Sequence, residues 1–178
     1  MTEAVGLTSP RLVAAAVRGD VEAFAAIMAE HDNDMIRVAM VICGDQELAR
    51  DAVQAAWHIA WQRLGSLRDA DKLRAWLMSI AANEARQSIR ATLRRQKREV
   101  QSTFFSPTSS TDPAHTIERL DLADLLQRLT PPERQLLALR YAAGLNSAEI
   151  ARITRTTSSA IRGRIARLCE RLRKEMEK

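Results

Sequence analysis

Glycine, proline and aromatic residues are scarce in this 178-residue chain: six Gly, five Pro, and 4% Phe, Trp and Tyr together. Sheet-rich folds draw on aromatic residues in their strands and on Gly and Pro in their turns, so this scarcity argues against a β architecture. Only two cysteines occur, Cys43 and Cys169, far apart and without Cys or His neighbours at ligand spacing, which excludes a disulfide framework and a zinc site. Cys43 reads as small apolar filler in a helix rather than as a redox thiol. No apolar run approaches the ~20 residues a membrane helix needs. Met1 to Pro10 lack the basic and apolar segments of an export signal. The expected setting is the reducing cytoplasm, with no membrane insertion. His31, His58 and His115 are scattered, no nucleophile has a neighbouring base, and no Gly-rich phosphate loop is present. The expectation is a protein that is not an enzyme and needs no metal or cofactor.

Apolar residues make up 46% of the chain, an ordinary share for a folded protein. The net charge of +5 is unevenly spread. Residues 1–90 hold 10 basic and 12 acidic side chains, residues 91–111 hold 4 and 1, and residues 112–178 hold 13 and 9. Two basic stretches stand out. Arg86, Arg90, Arg94, Arg95, Lys97 and Arg98 run without an acid from residue 86 to 98, and Arg152 to Lys174 carry eight basic residues against Glu170 alone. Either stretch alone could be a solvated helix face. Together, at the ends of two helical units, they favour a nucleic-acid partner.

Helical periodicity dominates. Leu12, Val13, Ala16 and Val17 begin an apolar stripe that stops at Gly19, and Asp20 caps a second helix carrying Phe24, Ile27 and Met28. A third helix is expected from about Asp34 to Cys43, closed by Gly44. Asp45 caps a fourth, whose stripe runs from Leu48 through Ala52, Ala56, Trp57, Ala60 and Trp61 to Leu64. After a polar loop, Leu73, Trp76, Leu77, Ile80, Ala81 and Ile89 define a further helix that turns basic toward its end. Trp57, Trp61 and Trp76 lie on apolar stripes and read as core before base-stacking residues. Gln101 to Pro113 is rich in Ser, Thr and Pro, has no period, and reads as an extended linker with Phe104 and Phe105 inside it.

The expected architecture is all-α: a helical domain over 1–95, a linker over 96–113 and a second helical domain over 114–178. In the second domain, Thr130-Pro131-Pro132-Glu133 and Asn146-Ser147-Ala148-Glu149 both have capping-box spacing. The first starts a helix with Leu136, Leu137, Leu139 and Tyr141; the second starts a short helix holding Ile150 and Ile153. Thr154 to Thr157 makes a turn, and a last helix from about Ser158 to Glu175 buries Ile161, Ile165, Leu168 and Leu172. A short capped helix, a tight turn and a longer basic helix form a helix-turn-helix. Arg162, Arg164 and Arg167 fall away from the inner face, and Ser158 and Ser159 stand at the helix tip, where backbone N–H groups can meet phosphate. Arginine can read a guanine edge through two parallel hydrogen bonds. The competing reading is a basic helical bundle that binds an acidic protein.

The chain resembles the extracytoplasmic-function (ECF) group of the sigma-70 family. Leu12, Gly19-Asp20, Ala23-Phe24, Asp51-Ala52-Val53-Gln54, Ala60-Trp61, Ala75-Trp76-Leu77, Ile80-Ala81 and Asn83 are similar to that family's region 2. Leu129 to Glu133, Leu139-Arg140, Gly144-Leu145, Glu149-Ile150-Ala151 and Ile161 to Arg167 are similar to its region 4. The match spans nearly the whole chain, in order.

The resemblance implies an alternative sigma factor: a dissociable subunit of RNA polymerase that directs promoter recognition and transcription initiation. Region 2 would dock on the polymerase β′ clamp and read the −10 element; region 4 would dock on the β flap and read the −35 element. Asp51, Gln54 and His58 would contact the polymerase. Leu67, Arg68 and Asp69 match the base-capture loop, Asn83 the pocket for a flipped −10 base, and Arg86, Arg90 and Arg94 would follow the DNA backbone. Arg155, Ser158, Ser159, Arg162, Arg164 and Arg167 would serve the −35 element. Asp51 and Gln54 read equally as helix surface, and Asn83 as a solvent-facing polar residue, when taken without the resemblance. An anti-sigma factor is an implied partner.

The sequence departs from the family pattern at several positions. Ala160 stands where Thr is frequent, Gly163 where Ser is usual, Ala55 where an acid is common, and Leu73 where Phe is usual. The rival from another class is a dimeric helix-turn-helix regulator acting without polymerase, which leaves residues 51–98 without a task.

Overall fold

The structure, a computed structural model, describes residues 9–100 and 124–176. All regular elements among these are helical; the longer ones are α1 Pro10–Val17, α2 Val21–Cys43, α3 Gln46–Arg63, α4 Leu73–Val100, α5 Pro131–Leu137, α6 Ser147–Thr154 and α7 Ser158–Met176, and residues 124–128 are helical too. The all-α class is as expected. Gln101 to Pro113, with Phe104 and Phe105, lies outside the described residues.

Local chemistry sets the helix ends. Asp20 accepts from the Ala23 N–H at 3.0 Å and Asp45 from the Leu48 N–H at 2.7 Å, each satisfying an otherwise orphaned donor. Asn146 Oδ1 accepts from the N–H groups of Ala148 and Glu149, and Glu149 accepts in return from the Asn146 N–H at 2.7 Å, a complete capping box. The Glu133 carboxylate holds both the N–H and the hydroxyl of Thr130 at 2.8 Å. Gly44 ends α2 in the left-handed region at φ 70°, the conformation glycine adopts without a Cβ penalty.

The structure differs from the sequence-based expectations in four places. Residues 20–43 form one cap and one helix, not two helices broken before Asp34. The polar stretch His31–Asp34 contains no Gly or Pro to break it, and it is used in packing: Trp57 Nε1 donates to Asp32 at 2.8 Å, and Arg74 donates to Asp34. Helix α4 continues to Val100, past the expected linker start at residue 96. Trp61 is 40% exposed, its ring edge-on to Phe24 at 4.9 Å, whereas Trp57 is buried. Tyr141 is 65% exposed because the chain widens after α5 into a π-type turn, Ala138–Ala142, closed by the Ala143 N–H on the Ala138 carbonyl at 2.9 Å. The extra residue rotates Tyr141 off the apolar stripe.

Helices α2, α3 and α4 pack on one another, with α1 against α2. Helix α5 and its π-type turn then pack on α2 and α4, so one apolar core runs through both halves of the chain. Leu136, Leu139, Leu145, Ile150 and Ile161 belong to the same buried cluster as Ile27, Met35, Ile42, Leu77 and Met78. A second cluster, Leu129, Leu137 and Leu168, seats α7 on α5.

Candidate nucleic-acid interface

Three surfaces carry the residues singled out by the sequence. The first lies on α3. Asp51, Gln54 and His58 are exposed at i, i+3 and i+7 and so share a face. His58 Nε2 pairs with Gln62 Nε2 at 2.9 Å. Gln54 also borders a groove of about 460 Å³ between α2 and α3, floored by Met28, Ile36, Val53 and Trp57.

The second lies on α4 and the turns before it. Leu67 and Asp69 are half-buried and Arg68 is exposed. Asp69 accepts from the Asp71 N–H at 3.1 Å and pairs with Lys72, whose ammonium holds the Asp69 carboxyl below the usual carboxylate range. Asn83 lies about three turns further along α4. It sits beside Arg63, Arg86 and Arg90 in a depression of about 620 Å³ with Ile59 and Ile80. Arg86, Arg90 and Arg94, four residues apart, form one ridge. Arg63, from the end of α3, is a cation that sequence reasoning missed, because its neighbourhood is set by packing.

The third is the helix-turn-helix. Ile161, Ile165 and Leu168 are buried, as expected. The turn is made by Arg155, the only described non-glycine residue at positive φ, 53°. Thr157 caps α7: its Oγ1 accepts from the Ala160 N–H at 3.2 Å and contacts Ser159 Oγ. A Ser/Thr-rich stretch before a helix was the available signal for this cap. Gly163 is open to solvent apart from Arg167, whose Nη1 lies 3.7 Å from where a Cβ would stand.

The structure divides the expected −35 residues and joins some of them to the −10 set. Arg164 and Arg167 share one flank of α7 with Arg171; they and Arg155 line a cleft of about 740 Å³ whose opposite wall is Asn83 and Arg86 of α4. Ser159 and Arg162 face elsewhere and border no part of it. Gln135 of α5 is bonded to the α4 wall: its Oε1 accepts from Arg86 Nη1 at 2.8 Å and its Nε2 donates to Asn83 Oδ1 at 3.4 Å.

Further along the same seam, Arg74 donates to Asp34 at 2.7 Å and to the Ala143 carbonyl at 2.5 Å. Burial raises the Asp34 pKa, but the bonds and charges of Arg74 and Arg37 outweigh it and hold the carboxyl below its ordinary value. His31, 5% exposed, has its pKa lowered by burial, against Glu30 and Asp34, which raise it, and with Arg74, which lowers it further. Arg134 is 9% exposed and lies at the C-terminal end of α2, where the free carbonyls carry partial negative charge. Burial pushes the neighbouring Cys43 thiol up to about 11, so it stays protonated and unreactive near neutral pH. No group of His, Cys, Asp and Glu suited to a metal occurs among the described residues. No described helix is long and apolar enough to cross a membrane.

Among the described residues the protein is all helical, with a basic helix-turn-helix at one end and a basic ridge on a helical bundle at the other, the make-up of a DNA-binding protein. Family comparison places it further: the model for Sigma-70 region 2 matches residues 27–98, and that for Sigma-70 region 4 matches residues 119–172. The chain belongs to the sigma-70 family. It is 34% identical to the ECF RNA polymerase sigma factor SigL of Mycobacterium tuberculosis over 77% of this chain and 81% of SigL. It is 25% identical to the probable RNA polymerase sigma factor RfaY of Xanthomonas campestris over 90% of this chain, and spans 42% of that longer protein. Among solved structures, CnrH in complex with the cytosolic domain of CnrY has the same fold, with a TM-score of 0.71 at 24% identity over 96% of this chain and 97% of CnrH.

Proposed function

We propose that this chain is an ECF-type alternative sigma factor that acts in the cytoplasm, binds core RNA polymerase and directs it to promoters. The observation that carries the reading is the pairing, on one chain, of an exposed helix-turn-helix helix with a separate basic ridge on α4. The α3 face of Asp51, Gln54 and His58, continuous with the α2–α3 groove, is suited to the β′ clamp. Asn83 with Arg63, Arg86 and Arg90 forms the −10 surface; Ser158, Ser159 and Arg162 at the start of α7, with Arg155, Arg164 and Arg167, form the −35 surface. The polymerase β flap takes the remaining face of region 4. An anti-sigma factor is a proposed partner, in keeping with the CnrH–CnrY complex.

Magnitudes explain why such a protein works as a subunit. Opening about ten stacked base-pair steps costs on the order of 14 kcal/mol, at a mean of ~1.4 kcal/mol each. A single base stacked in a pocket returns ~1–3 kcal/mol. The chain alone cannot melt a promoter; it traps a base while a larger machine holds the strands. Reaching two promoter elements also requires the α5 seam on α2 and α4 to exchange for polymerase contacts, because that seam brings the two surfaces to one cleft. Run-off transcription with purified core polymerase and a promoter library tests the reading. RNA started from specific templates only when the chain is added supports it; no template giving RNA would sink it.

A further inference from the structure

The cleft between the two halves is built unlike a solvated basic surface. Arg86 enters from α4, Arg155 from the turn, and Arg164, Arg167 and Arg171 from α7. The one acid lining it, Glu133, is already held by Arg171 at 2.7 Å and by Thr130. Among the described residues, Arg86, Arg155, Arg164 and Arg167 have no acidic partner. The Arg86 Nε is buried and makes no hydrogen bond. Like charges converge here from three elements, in a concavity where field lines are focused and counter-charge is missing. The floor is apolar, with Leu136, Ile161 and Leu168, and the amides of Asn83 and Gln135 stand on one wall.

We infer that this cleft is a binding site for a nucleotide, with its phosphates on Arg86, Arg164 and Arg167 and its base on the apolar floor against the exposed Asn83 amide. The volume of about 740 Å³ lies within the range of small-molecule sites. Guanidinium groups are the side chains suited to paired contacts with phosphate oxygens. Gln135 takes only the Asn83 Oδ1, which leaves the Asn83 amide N–H donors to meet a base edge. An acidic peptide would satisfy the charge but would leave the Asn83 amide N–H donors and the apolar floor without a role. A ligand bridging α4 and α7 binds only the packed arrangement, so by linkage it opposes the separation that polymerase binding requires. That regulatory half rests on the sigma-factor reading; the binding half does not.

The test uses the full chain and fluorescence anisotropy with a labelled ATP analogue, with unlabelled ATP, inorganic triphosphate and an oligoglutamate peptide as competitors. The expected result is micromolar binding of ATP, with inorganic triphosphate and the peptide each at least about tenfold weaker, a difference of ~1.4 kcal/mol. Arg86→Ala and Arg164→Ala should each weaken ATP by a similar factor, with helical circular dichroism confirming that both fold. Equal competition by triphosphate or peptide, or ATP binding unchanged in both variants, would overturn the site. The regulatory half is read separately, from the association of the chain with core polymerase in the absence of other nucleotides. ATP should weaken that association in the native chain and not in Arg164→Ala; tighter or unchanged association overturns the regulation. Failure of the chain to bind polymerase at all would overturn the sigma reading while leaving ATP binding intact.

Discussion

Gln135 and Asn83, fifty-two residues apart, are joined side chain to side chain across the seam between the two halves, and the same Gln135 holds Arg86. Gln135 is buried, so its amide is satisfied by the seam and not by water. Replacing Gln135 with Ala leaves the Arg86 guanidinium with no partner among the described residues and should cost about 1–3 kcal/mol, the range for a hydrogen bond to a charged group or for an unsatisfied one. The expected outcome is a looser chain: a larger radius of gyration by small-angle scattering and a lower thermal midpoint, with helix content unchanged. An unaltered radius and midpoint would show that the seam does not depend on this residue.

His31 gives the fold a pH dependence. Its pKa is lowered in the folded protein from 6.5, so below that pH the unfolded chain binds more protons than the folded one. Stability is therefore unaffected above about pH 6.5 and is lost as pH falls from there toward the lower native value. The groups facing the imidazole are Glu30 and Asp34 on α2 and Arg74 on α4. Asp34, held below its ordinary 3.8, contributes stability that disappears only in the more acidic range, so the two windows are separable. Urea unfolding between about pH 7 and about pH 5 should show a falling midpoint in the native chain and a flatter one in His31→Gln. An identical slope in both would remove His31 as the cause.

Much of this fold is legible in the sequence because caps and stripes are local. Asp20, Asp45 and Asn146 announce their helices, and Ile161, Ile165 and Leu168 announce the inner face of α7. The seam is not legible. Leu136, Leu139 and Ile150 have the same spacing whether they face their own half or the other. Arg134 and Gln135 look like helix surface, and only the packing of α5 on α2 and α4 buries them. The unbroken α2 was hidden for a related reason: Asp32 and Asp34 look like a break until Trp57 and Arg74 are seen to need them. The candidate site was legible residue by residue, but the meeting of Asn83 and Arg86 with Arg164 and Arg167 was not, since nothing in a pattern of arginines records which flank faces which helix.

Two glycines separate backbone strain from crowding. Gly44 and Gly144 have nearly the same φ, 70° and 67°. A Cβ on Gly44 would stand 3.2 Å from Gln127 Nε2, whereas nothing lies within 4 Å of one on Gly144. Gly144→Ala should cost about 1–2 kcal/mol from the left-handed backbone alone. Gly44→Ala should cost that and more, because Gln127 must also shift where the seam meets the end of α2. Equal midpoints for the two variants in chemical denaturation would mean that Gln127 gives way freely.

The two recognition surfaces should be separable by function. Asn83→Ala should change base preference at one −10 position in run-off transcription and leave −35 dependence intact. Arg162→Ala, on the flank of α7 outside the cleft, should weaken −35 dependence and leave the −10 preference alone. Both substitutions altering the same promoter position would contradict the assignment of separate elements.

The continuous apolar core sets an order on the making of the protein. A ribosome releases α2 and α4 well before Leu136, Leu139 and Ile150, which share their buried cluster. During that interval the nascent region 2 carries an uncovered apolar strip, the kind of surface that draws aggregation or a chaperone. Completion of the last third of the chain closes the strip, so a truncated product ending just after α4 should be less soluble than its own small size would suggest.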